Sequence, residues 1–139
     1  MFDRIKRWFG GGSSSDSPIN EFLTRVRKSG LIEEPKLEHL LREFEESDKP
    51  YGDSLTSLET FLIAREALTP WQAFKLRENK YKGFLLDDFV LLDCLEVAHD
   101  CTYYLARHLP SSRRVALKIP PPRFRGEPGD PIRFEVVEL

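Results

Sequence analysis

The chain has 139 residues, 40% hydrophobic and 32% charged, enough apolar content for a buried core and too much for wholesale disorder. Its length allows one ordinary domain or two very small ones, and a formal net charge of -2 gives no basic field to attract nucleic acid. Two cysteines supply no disulfide framework, no signal peptide is readable, and no apolar run reaches the roughly 20 residues of a spanning helix, so a reducing, cytoplasmic location is expected.

In chain order, MFDRIKRWF gives way abruptly to GGGSSSDSP, so residues 1–17 read as a tethered amphipathic segment and a flexible linker. On a helix, Phe2, Ile5, Trp8 and Phe9 share a face beside Arg4, Lys6 and Arg7. That face suits a weak peripheral membrane contact or a docking peptide, and a frayed terminus with exposed aromatics is the plain alternative. The segment is shorter than the ~12–15 residues an isolated helix needs.

Residues 18–83 read as helical, with about four helices in two hairpins. Ser17-Pro18 caps the first, whose apolar stripe is Ile19, Phe22, Leu23 and Val26, and Gly30 stops it. A second starts near Glu34-Pro35 and turns Leu37, Leu40, Leu41 and Phe44 inward, with Glu38, Glu43, Glu45 and Glu46 as its solvated side. The third follows Tyr51-Gly52-Asp53, its stripe running through Leu55, Leu58, Phe61, Leu62 and Ala64 or Arg65. Thr69-Pro70 caps the fourth, TPWQAFKLRENK, whose expected buried residues are Trp71, Phe74 and Leu76.

From residue 84 to 139 the pattern becomes strand-like. Phe89–Leu95, Cys101–Ala106 and Arg114–Ile119 are rich in β-formers, with turns at Ala98-His99-Asp100 and Leu109-Pro110-Ser111-Ser112. Pro120-Pro121-Pro122 ends the third strand, and the closing IRFEVVEL alternates enough for a fourth. The fold class is therefore α+β, a helical region followed by a small antiparallel sheet with open edges and a face that something must cover.

The stretch from about Leu68 to Ile119 resembles the entry into the catalytic domain of bacterial eukaryotic-like serine/threonine protein kinases, with a helical extension ahead of a truncated N-lobe. LTPWQAFKLRENKYKGF looks like the lead-in helix and connector, and FVLLDCLEVAHDCTYYLARHLPSSRRVALKI follows the order strand, phosphate loop, strand, turn, lysine strand. The resemblance puts Lys118 of VALK at the position of the lysine that holds ATP phosphates and pairs with a glutamate. It puts Glu96, Ala98 and His99 where the family's loop carries three glycines. Side chains there crowd the approach of phosphates to backbone N–H groups, and Glu96 with Asp100 set negative charge against a triphosphate. No His-Arg-Asp loop and no Asp-Phe-Gly are present, and the proline-rich segment after Lys118 cannot supply the helix with its glutamate.

The resemblance thus implies a pseudokinase-like, non-catalytic protein-interaction or regulatory module whose partner is a protein, such as a related kinase or a second copy. The alternative is a residual ATP-binding sensor or split-kinase component using Lys118, with ATP as the one cofactor weighed and Glu135 and Glu138 as candidate partners of the lysine. Cys94 and Cys101 are expected to face each other across the hairpin with His99 between them, too few ligands for a common zinc pattern. His39, His99 and His108 accompany no nucleophile motif. Arg113, Arg114, Arg123, Arg125 and Arg133 give the sheet end local positive charge, either a solvated surface or a seat for an acidic partner face.

Overall fold

A computed structural model describes residues 17–47, 52, 54–121 and 132–139. The opening amphipathic segment, nearly all of its linker, and Arg123 and Arg125 lie outside the described residues. The chain divides into two compact units, one ending at Lys82 and the other beginning at Gly83.

The first unit holds four helices, α1 Pro18–Ser29, α2 Glu34–Glu46, α3 Leu55–Ala64 and α4 Pro70–Arg77. The Ser17 side chain accepts from the Asn20 N–H at the start of α1, and Gly30 ends the helix at φ 75°, a left-handed conformation that costs a glycine little. Ile19, Phe22, Leu23 and Val26 are buried as their spacing requires. α1 packs against α3 and α4, and α3 lies against α2 and α4. Leu37, Leu40, Leu41 and Phe44 of α2 and Leu58 and Leu62 of α3 are all buried, and the Phe44 and Phe61 rings stand 5.4 Å apart.

Four sequence expectations fail in this unit, each for a geometric reason. Phe74 is 55% exposed and Trp71 only half-buried, while Gln72, Ala73 and Leu76 face inward. A capping box fixes the phase of α4: Thr69 accepts from the Gln72 N–H, and the Gln72 side chain accepts from the Thr69 N–H. Phe74 then sits about 200° around the helix from both Gln72 and Leu76. Glu45 is buried rather than solvated, because it lies one turn beyond Leu41 on the inner face. Ala64 and Arg65 are exposed, with Arg65 paired to Glu43 and its guanidinium 4.8 Å from the Phe61 ring centroid. α4 also stops at Arg77 instead of running to Lys80, and Asn79 turns the chain at φ 64°.

Two polar contacts tie α4 down. Arg25 of α1 donates through Nη1 to the carbonyls of Leu76 and Arg77 at 3.1 and 3.0 Å, satisfying helix-end acceptors. Arg77 in turn forms a two-pronged pair with Glu59 of α3, whose side chain is only 9% exposed.

The second unit is a five-stranded antiparallel sheet in sequential order, β1 Leu85–Leu86, β2 Phe89–Val97, β3 Thr102–His108, β4 Arg114–Ile119 and β5 Glu135–Val137. β1 is an additional strand: two residues give no periodicity to read. The β2–β3 ladder is interrupted between Leu91 and Asp93 and between Cys94 and Glu96, so β2 carries two bulges. The Phe89 and Phe134 rings meet edge-on at 5.7 Å, although a flat sheet would hold β2 and β5 about 14 Å apart. The sheet is therefore strongly curled.

Candidate functional site

Lys118 sits on β4, and the register decides its surroundings. Glu96 of β2 lies opposite Tyr103 of β3, Tyr103 opposite Lys118, and Lys118 opposite Glu135 of β5. Directly opposed residues share a sheet face, so carboxylate, phenol, ammonium and carboxylate form one rung across four strands. The Lys118 Nζ lies 3.9 Å from a Glu135 oxygen, with side-chain exposures of 38% and 75%. Such a half-open pair contributes at most about 1 kcal/mol to stability, yet it places negative charge beside the lysine.

The segment between β2 and β3 closes tightly. The Ala98 N–H donates to the Cys101 carbonyl at 2.8 Å, directly after the Val97–Thr102 pair, leaving only His99 and Asp100 at the tip. That is the geometry of a short β-hairpin, not of a loop with backbone N–H groups spread around an anion.

A cavity of ≈ 230 Å³ opens at this end of the sheet, lined by Asp100, Cys101, Lys118, Pro120, Arg133, Phe134 and Glu135. Two cations face two carboxylates, so the lining carries no net positive charge. Its volume also falls below the ~300–1,000 Å³ common for small-molecule sites.

Tyr103 is the one described residue here whose acidity is clearly shifted. Its hydrogen bond to the Cys101 side chain, and the negative charge Cys101 gains on ionising, hold the phenol above its ordinary value, while Lys118 pulls it down and burial and Asp100 add to the rise. Because the folded-state value is raised, the contribution to stability is present below the ordinary phenol pKa and is lost as pH rises through the folded value. Spectrophotometric titration is expected to show Tyr103 ionising at lower pH in Cys101→Ala and at higher pH in Lys118→Ala. Unchanged Tyr103 titration in both variants contradicts the arrangement, with Tyr103→Phe identifying its share of the signal.

The cysteine expectation is corrected by the position of the turn. With His99 and Asp100 at the hairpin tip, Cys101 faces Ala98, while Cys94 lies farther along β2 opposite Tyr104, and both thiols are free. Among the described residues no group of three His, Cys, Asp or Glu side chains is placed to hold a metal ion. No described helix is long and apolar enough to cross a membrane. Of the basic cluster, Arg114 lies on β4 opposite Arg107, and Arg133 reaches the cavity. Glu135 was legible as a partner for Lys118, whereas Tyr103, Cys101 and Phe134 join the site through register alone, which no local pattern reveals.

What the geometry defines is an α+β protein with a four-helix unit and a curled five-stranded sheet that carries a rung of two carboxylates, a phenol and one ammonium. No family model matches the chain, and neither a curated protein nor a solved structure matches it.

Proposed function

We propose that this chain is a non-catalytic protein-interaction or regulatory module whose sheet is derived from the N-lobe of a serine/threonine protein kinase and serves as scaffold. The observation that carries the reading is the Glu96–Tyr103–Lys118–Glu135 rung beside a two-residue hairpin tip. The lysine at the ATP position is matched by a carboxylate from its own sheet, and the phosphate loop is replaced by a closed turn. The sheet meanwhile exposes Leu95 and Val97 near that tip, and Val136 and Val137 on the β5 edge. Val97 is 76% exposed, an apolar side chain with no structural task in this unit.

The test is association of the full chain with protein. Sedimentation over a range of concentrations, together with retention of a defined partner in stoichiometric amount, is expected to reveal self-association or a complex. Val97→Asp and Val136→Asp weaken it. A chain that stays monomeric and retains nothing overturns the proposal.

One observation favours a second reading, residual nucleotide binding: Lys118 and Arg133 both line the cavity, with the Phe134 ring beside them. Asp100 and Glu135 in the same lining oppose a polyphosphate, which ranks this reading second.

A further inference from the structure

The helical unit carries a surface with a different chemistry. Between Pro70 and Lys82 the sequence places four cations, Lys75, Arg77, Lys80 and Lys82, against one carboxylate, Glu78, in a chain whose net charge is -2. Arg77 is engaged by Glu59, and Lys80 lies 3.4 Å from Glu78. The remaining lysines rest on aromatic rings. Lys75 is 5.9 Å from the Trp71 centroid, and Lys82 and Lys28 approach Tyr81 at 5.9 and 5.5 Å. A ring face attracts an ammonium without neutralising it, so these three charges stay available to an anionic partner.

The apolar component is Phe74. It lies one helical turn from Trp71, on the outward stripe of α4 that also carries Lys75, and it is the large hydrophobic side chain that the described helices leave exposed. An exposed aromatic ring is the kind of side chain that anchors a protein interface, and the lysines of this segment supply charge for its polar rim. A lipid surface is a poorer fit, because an interfacial helix presents a broad apolar face, and here Ala73 and Leu76 are buried within the unit.

We infer that the Trp71–Phe74–Lys75 stripe of α4, with Lys28 and Lys82, docks an acidic protein segment carrying a large apolar side chain. This rests on the interaction-module reading and names the partner chemistry of its helical unit. Charge complementarity sets the acidic character, and Phe74 sets the apolar requirement.

The experiment uses the full chain with Trp8→Phe, which leaves Trp71 as the sole tryptophan and its emission as the reporter. The probe is a synthetic glutamate-rich peptide with two leucines. Controls are the same peptide with serines for the leucines, and vesicles containing phosphatidylserine. Saturable binding of the leucine peptide is expected, weakened about tenfold or more by Phe74→Ser and by Lys75→Glu with Lys82→Glu, as loss of an anchor or its charges requires. None of the three positions is buried, and unchanged unfolding temperatures confirm intact variants.

Equal binding of the serine peptide reduces the surface to unspecific electrostatics and overturns the inference. So does absence of peptide binding, or binding of vesicles in preference to peptide. Val97→Asp leaves the peptide affinity unchanged, so loss of this site and loss of the sheet-borne association are separate results.

Discussion

Phe44→Ala is expected to lower the unfolding free energy of the helical unit by about 3–5 kcal/mol, the range for removing a buried ring. Phe44 is 1% exposed, lies on α2 with Leu37, Leu40 and Leu41, and packs its ring against Phe61 of α3. Truncation removes the apolar contacts of the whole ring and leaves a void that neighbouring leucines fill only in part. Small domains hold a net stability of ~5–15 kcal/mol, so much of the reserve of the unit is lost. Chemical denaturation followed by helical circular dichroism measures it. A change below about 1 kcal/mol contradicts the packing of α2 on α3.

Arg77→Ala is expected to cost about 2–3 kcal/mol in the same assay. The effect stays below that of severing a fully buried pair because Arg77 is itself 52% exposed. Glu59 is the vulnerable partner: without the guanidinium its carboxylate remains in a largely dry position with two hydrogen bonds lost. Glu59→Gln in the Arg77→Ala background is expected to recover part of the loss, since an amide carries no charge to leave unpaired. If the double variant is as unstable as the single, the cost lies in the packing of the Arg77 stem on α4 and not in the stranded charge.

The helical unit was largely legible because its signals are local. Ser17, Pro18 and Gly30 mark the ends of α1 by rules that act within a few residues, and the leucine spacing of α2 fixes its inner face. α4 was misread because eight residues hold little more than two turns, so the capping box at Thr69, and not the aromatic content, decided which side faces inward. The strand read at Phe89–Leu95, which the structure extends to Val97, and the strand Arg114–Ile119 were also visible from β-formers between turn residues. Their register was not. The two-residue tip at His99 and Asp100 sets Glu96 opposite Tyr103 and so in the rung with Lys118, and the bulges at Leu92 and Leu95 then reset which β2 residues from Cys94 back to Phe89 oppose which β3 residues. A one-residue slip would have turned that charge to the other face, and nothing in the local sequence states where a bulge falls.

The rung also supplies a physical meaning for the sequence pattern around Lys118. A lysine in a strand needs either solvent or a carboxylate, and Glu135 on the edge strand provides the second while leaving part of the side chain in water. Glu96 has a place in the same row, opposite Tyr103.

The most direct test of this account is a titration of the full chain with ATP and magnesium, followed by thermal unfolding and by tryptophan emission, in parallel with Lys118→Ala. The account predicts no saturable change in either protein, because Glu135 and Asp100 oppose the phosphates and the hairpin tip offers them no cradle. A saturable stabilisation of the unaltered chain that disappears in Lys118→Ala would contradict it, and would make the lysine a ligand-binding group.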